Sequence, residues 1–164
     1  SGMEIEIALR KHNLPHEFSA EAIALAESYP KQVQAKDYQN RIDCRALPLI
    51  TIDGETARDF DDAVFAEPQG KGWRLVVAIA DVSFYVQPKD ALDKGAIDRG
   101  NSVYFPRRVS PMLPEALSNG LCSLRPKEEK FTFSAVFILN IEGTVQEEWY
   151  GRTVINSDYR FSYE

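Results

Sequence analysis

Between Asp53 and Asp62 the string "DGETARDFDD" gathers Asp53, Glu55, Asp59, Asp61 and Asp62, with apolar runs on both sides. Two carboxylates about 5 Å apart at an effective dielectric of about 20 repel by roughly 3 kcal/mol, so a preorganised cluster calls for a cation among them. Written D-x5-D-x-D-D, the spacing puts Asp59 and Asp61 on one side of an extended segment and Phe60 on the other. Phe60 can then anchor the loop in the core while the carboxylates converge, and Asp53 joins them from the end of the strand-like run "LITID". Hard oxygen donors of this kind suit Mg²⁺ or Mn²⁺, and two such ions can clamp the attacking and leaving oxygens of a phosphoryl transfer. The chemistry indicated is hydrolysis of a phosphodiester.

The residues alone leave other readings open. A solvated acidic turn between strands needs no ion, and a D-x-D pair such as "DFD" also suits the metal-bound nucleotide diphosphate of a sugar transferase. An EF-hand begun at Asp53 fails, because Arg58 would stand where Gly is needed and Val64 where the bidentate Glu belongs. Glu55 follows Gly54 in a turn and stays outside the site. Cys44 and Cys122 have neither CxxC spacing nor paired His, which speaks against zinc and gives no reason for a disulfide; both read as buried small hydrophobes. His12 and His16 lie far from the cluster in sequence and receive no catalytic role.

The elements that must position the cluster follow from periodicity. A first helix over "EIALRK" stops before Pro15, and a second, capped by Ser19, stops at Pro30. A polar linker runs through Lys36 to Arg41. From Leu47 the pattern becomes that of strands: "LPLITID", then "DDAVFAEPQ" and "WRLVVAIADVSFYV" joined by a hairpin turn at Gly70 to Gly72. "PKDALDKGAIDRGN" has helical spacing weakened by Gly95, and one turn of helix is expected around Leu117. Two long strands follow around Glu142-Gly143, with Phe133, Ala135, Phe137 and Leu139 on one face. The prediction is an α+β fold: a mainly antiparallel sheet with flanking helices over 47–164, preceded by a helical lead-in over 1–46. Asp81, Asp90, Asp93 and Asp98 are expected to face solvent or to start helices.

Composition bounds the function. The chain has 164 residues, 44% hydrophobic and 27% charged, as in an ordinary globular domain. Its apolar runs are too short to span a bilayer, and no signal-peptide pattern opens it, so no membrane partner and a cytoplasmic location are expected. A net charge of -6 argues against a nucleic-acid partner. The acidic cluster supplies part of that sum, and positive charge gathers locally at Arg99, Arg107, Arg108, Arg125, Lys127 and Lys130. Arg107 and Arg108 suit phosphate contacts without sequence preference, or a solvated loop. Tyr104 beside Phe105 reads, without further context, as a core pair. The ending "SDYRFSYE" carries no turn or cap, so a fragment of a longer protein is expected.

Four strings in order, "PLITIDGETARDFDDAVF", "WRLVVAIADVSFYV", "RGNSVYFP" and "PMLPEALSNGLCSLRP", closely resemble the catalytic (RNB) domain of the ribonuclease II superfamily, and "EIALRKHNLPHEF" resembles the linker before it. The resemblance implies a processive, Mg²⁺-dependent 3′-to-5′ exoribonuclease that degrades single-stranded RNA from a free 3′ end to nucleoside 5′-monophosphates. The family's acidic positions fall on Asp53, Asp59, Asp61 and Asp62, as metal ligands and catalytic residues, with Asp61 the least replaceable. Its base-stacking aromatic falls on Tyr104, and a stacked base is worth about 1 to 3 kcal/mol whatever its identity. A catalytic Arg, the rest of the RNA channel and the flanking cold-shock and S1 modules belong to parts of such proteins that this chain lacks, so little or no activity is expected of it alone. The alternative is a non-catalytic module that binds RNA or protein.

Overall fold

A computed structural model describes residues 2–106 and 108–163. The architecture is α+β, as expected. The chain divides into two compact units, one made of Ser1–Tyr29 with Ser83–Ser118, the other of Pro30–Val82 with Asn119–Glu164.

The first unit is mainly helical. It holds α1 (Gly2–Lys11), α2 (Ala20–Ser28), most of α3 (Val82–Tyr85), α4 (Ala91–Arg99) and, later in the chain, a two-stranded hairpin. Ser19 caps α2 by accepting a hydrogen bond from the Ala22 N–H at 3.1 Å, satisfying an orphan amide of the first turn. Asp90 does the same for α4 through the Asp93 N–H, so its carboxylate marks a helix start. Arg99 binds α4 to the segment before α2: its guanidinium lies 3.8 Å from the Phe18 ring centroid and donates to the Glu17 carbonyl at 2.6 Å.

The second unit is built on a seven-stranded sheet. In chain order its strands are β1 (Ile42–Asp43), β2 (Ile50–Asp53), β3 (Asp62–Gln69), β4 (Gly72–Ala80), β7 (Glu129–Leu139), β8 (Val145–Asn156) and β9 (Tyr159–Ser162); β5 and β6 (Val103–Phe105, Arg108–Ser110) form the hairpin of the other unit. The order across the sheet is β1-β8-β7-β4-β3-β2-β9, antiparallel in the centre with a parallel pair at each edge. Gln69 pairs with Gly72 across a two-residue turn in which Gly70 takes a positive φ of 58°. Gly72 is fixed by close approach: a Cβ there would lie 1.8 Å from the Leu139 carbonyl oxygen. The strand expected to run on through "ADVSFYV" ends at Ala80 and turns into α3.

One face of the sheet is buried and lined by small or hydroxylated residues, among them Ala63, Ala78, Thr132, Ser134 and Thr153. The hydroxyls satisfy each other, Thr153 Oγ1 lying 2.6 Å from both Thr132 Oγ1 and Ser134 Oγ. Register places Ile52, Ile79, Phe133 and Tyr150 on the opposite face, where all four are exposed.

Two residues depart from a solvated setting for one reason. Asp81 directly precedes α3, as one of its two expected settings had it, but it does not face solvent, and Arg41 at the end of the polar linker is buried: their side chains, each 2% exposed, meet at 2.6 Å. Arg41 also donates to the carbonyls of Thr132 and Thr153, both at 3.1 Å, and packs 4.0 Å from the Phe131 ring centroid. A buried charge persists only when paired and hydrogen-bonded, and sequence spacing says nothing of a partner forty residues away. Lys130, named above in the local concentration of positive charge, is likewise buried and donates to the Gly120 carbonyl at 2.7 Å and to Glu128 at 3.1 Å. Cys122 is buried as expected, whereas Cys44 is half-buried.

Candidate functional site

Asp53 ends β2 and Asp62 opens β3, so the acidic residues occupy the rim where two antiparallel neighbours separate. The sheet holds both ends of the loop. Asp62 stands opposite Ile79, the Asp61 carbonyl accepts the Ala80 N–H at 2.9 Å, and the Asp53 carbonyl accepts the Tyr163 N–H at 3.3 Å.

Between those ends Phe60 acts as the predicted anchor, at 4% exposure. Its N–H donates to Ser123 Oγ at 3.2 Å, its carbonyl accepts the Leu124 N–H at 2.9 Å, and Ser123 Oγ donates to the Arg58 carbonyl at 2.6 Å. Phe60 therefore points into the protein with its backbone polar groups satisfied, while its neighbour Asp59 is half-buried and Asp61 exposed. The first half of the loop is held from β9. Arg160 donates to the carbonyls of Gly54, at 3.1 Å, and Glu55, and its guanidinium lies 4.9 Å from the Phe60 ring centroid.

Electrostatics tie the carboxylates together. Desolvation, then the charges of Asp59, Asp53 and Asp62, raises the proton affinity of Asp61 above the usual Asp range. Asp61 keeps part of its surface in water, so its desolvation comes from the protein mass behind it and not from enclosure. Asp53 is raised by the same causes in the same order, desolvation and then Asp62 and Asp59, with Arg160 opposing. Such mutual repulsion marks the loop as a candidate functional site.

The donor set fits a hard divalent ion in chemistry: all four groups are carboxylates. The thiol within electrostatic reach, Cys122, is buried, and burial pushes it up to about 12. In spacing the cluster is open. Among the described residues, no three His, Cys, Asp or Glu side chains lie close enough to hold a metal by themselves. Repulsion between like charges favours such separation.

Tyr104 and Arg108 belong to the β5–β6 hairpin of the other unit, and Arg107 lies outside the described residues. Tyr104 is 64% exposed, so the core-pair reading does not hold for it. In the hairpin Tyr104 pairs with Val109, and Phe105 with Arg108. Because paired residues share a face, Tyr104 and Arg108 project to opposite sides.

Sequence reasoning missed Arg160 and Ser123. The available signals were a lone cation interleaved with Tyr159, Phe161 and Tyr163, and a serine inside the apolar stretch from Leu121 to Leu124.

Comparison with known proteins adds three findings. The family model described as "RNB domain" matches residues 41–164. Ribonuclease R of Vibrio cholerae serotype O1 is 52% identical over 163 residues, covering 99% of this chain and 20% of the relative. The structures of Mycoplasma genitalium RNase R with ribose-methylated single-stranded RNA and with double-stranded RNA superpose with TM-scores of 0.92 and 0.93, each at 29% identity over 98% of this chain and 25% and 28% of theirs. The chain thus spans about a fifth of the length of the curated relative it matches.

Proposed function

The chain belongs to the RNB domain family, and from that premise we propose that it forms the acidic part of the active site of a cytoplasmic 3′-to-5′ exoribonuclease. The whole enzyme would act processively on single-stranded RNA with a free 3′ end and release nucleoside 5′-monophosphates. The observation that carries this reading is the carboxylate loop, in which desolvation and three like charges bear on Asp61 while core contacts fix the backbone on which it sits.

In this reading Asp53, Asp59, Asp61 and Asp62 hold Mg²⁺, or Mn²⁺ in its place, which when bound supplies Lewis-acid stabilisation to the phosphoryl oxygens of a phosphodiester. The chain's own part is orientation. Phe60 and Ser123 hold the backbone of Asp59 and Asp61, and the sheet holds Asp53 and Asp62, so the backbone needs little reordering while the carboxylates would close on the ion and a phosphate. Their open spacing suits a site whose coordination is completed by substrate and water. Tyr104, exposed on its hairpin, is the surface on which a base at the 3′ end stacks, and Arg107 and Arg108 supply phosphate contacts that carry no sequence information. We assign these roles to the RNB-type domain over 47–164. The remaining catalytic groups and the flanking RNA-binding modules would lie elsewhere in a full-length protein, so this chain alone would degrade RNA poorly.

The test is cleavage of a 5′-labelled single-stranded RNA by this chain and by a version extended to the length of its relatives, with Mg²⁺ or with EDTA. A metal-dependent ladder shortening from the 3′ end with the extended protein, abolished by Asp61→Asn while RNA affinity survives, supports the enzyme. RNA binding with no cleavage by either protein supports the non-catalytic module instead.

A further inference from the structure

Arg160 is the cation nearest in function to the acidic loop, and its geometry is unusual for a charge neighbour. It does not hydrogen-bond any of the four aspartates. Its Nη2 donates instead to two consecutive backbone carbonyls, those of Gly54 and Glu55, just after Asp53, and its guanidinium plane approaches the Phe60 ring at the other end of the loop. Strand β9 delivers it there, because Arg160 stands opposite Thr51 and Ser162 opposite Asp53 in the parallel pair with β2.

One planar group therefore spans the loop from its first residues to its buried anchor. We propose that Arg160 is a positioning residue that sets the distance between Asp53 and the Asp59–Asp62 segment, and so the affinity of the cluster for a divalent ion. The inference rests on the metal-site reading above. The two hydrogen bonds of Nη2 draw Gly54 and Glu55 toward β9, while the ring contact keeps the guanidinium over Phe60, so the start and the end of the loop are referred to a single side chain. Lysine could supply the charge and donors to both carbonyls but not the flat surface over the Phe60 ring.

The proposal makes an unusual demand on sign. A positive charge beside a cation site repels the ion, so by charge alone the removal of Arg160 would tighten binding. If Arg160 acts by position, its removal loosens binding. Groups that orient metal ligands typically change affinity about 10- to 100-fold when replaced.

The experiment is Mn²⁺ titration of the 164-residue chain, followed by electron paramagnetic resonance of free Mn²⁺, for the parent, Arg160→Gln, Arg160→Lys and Asp61→Asn. Hydrogen exchange of the metal-free proteins gives a second readout that involves no ion. The expected result is a dissociation constant raised about 10-fold in both Arg160 variants, with faster exchange confined to the amides of 54–61 and unchanged protection in β4 and β7. Tighter binding by Arg160→Gln, or parental affinity and loop exchange in both variants, overturns the proposal alone. Loss of protection throughout β4 and β7 also overturns it, because Arg160 then supports the whole sheet. A parent chain that takes up no Mn²⁺ more tightly than Asp61→Asn overturns the metal reading and this proposal together.

Discussion

The pair Arg41–Asp81 and the cluster Asp53, Asp59, Asp61 and Asp62 belong to the same sheet unit and place charge on it under opposite conditions. The pair is enclosed, its members meet at 2.6 Å, and carbonyls of β7 and β8 take further donors of the guanidinium. The cluster sits at a strand rim, where like charges and desolvation both disfavour ionisation of Asp61. Burial with a partner is a structural use of charge, and its demands are met inside the chain. Mutual repulsion at the rim is unfavourable for the folded chain and would be relieved by a bound cation, which is the physical reason to look for function at the rim and not at the pair.

Asp81→Asn should destabilise the chain by about 3 to 5 kcal/mol in urea unfolding, because it strands a buried guanidinium. The double replacement Arg41→Met with Asp81→Leu should lose much less. Equal losses in the single and double variants would mean that packing, and not charge pairing, dominates there.

Metal addition comes next in size. Mn²⁺ at about 100 times its dissociation constant should stabilise the folded chain by about 2.7 kcal/mol, visible as a higher melting temperature that EDTA reverses. The same addition to Asp61→Asn should shift the melting temperature far less.

Without metal, Asp61→Asn should raise stability at pH 7, by under about 1 kcal/mol because solvent screens a partly exposed group. The sign follows from linkage. Folding raises the proton affinity of Asp61, so the stability of the parent is full below the unfolded-state value of an Asp carboxyl and is lost as pH rises through the raised folded-state value. The advantage of the variant should therefore shrink as pH falls and vanish in acid. Chemical unfolding at pH 3 and pH 7 measures it, and an advantage that grows in acid would contradict the assignment.

The smallest effect belongs to an exposed pair that sharpens the contrast from the other side. Hydrogen bonds from Arg45 hold the Asp43 carboxyl down to about 2. Its contribution is thus present above the ordinary Asp range and is lost as pH falls through about 2, the reverse of Asp61. Asp43→Asn should leave the melting temperature at pH 7 close to that of the parent, and a large drop would show that surface pairing matters more here than screening permits.

What the sequence disclosed and what it hid divide along the same line. The central strands β2, β3, β4, β7 and β8, the hairpin at Gly70, the Ser19 cap and the anchoring of Phe60 follow from periodicity and local chemistry and were legible, whereas the short strands β1, β5, β6 and β9 were not. The four aspartates were legible because like charges close in sequence are conspicuous. Arg41 with Asp81 and Arg160 with Gly54 were not, since each joins residues brought together only by strand order: β1 lies beside β8, and β9 closes against β2 across the whole length of the fold. Tyr104 shows a subtler limit. A hairpin two strands wide buries little, so an aromatic that composition assigns to a core stays 64% exposed.

The most direct test is the stability difference between the parent chain and Asp61→Asn, measured by thermal unfolding at pH 7 with excess EDTA and again with saturating Mn²⁺. The account predicts that the difference changes sign: the variant is the more stable without metal and the less stable with it. A variant that is more stable, or less stable, under both conditions would contradict the claim that the rim carboxylates are held in mutual repulsion for a cation.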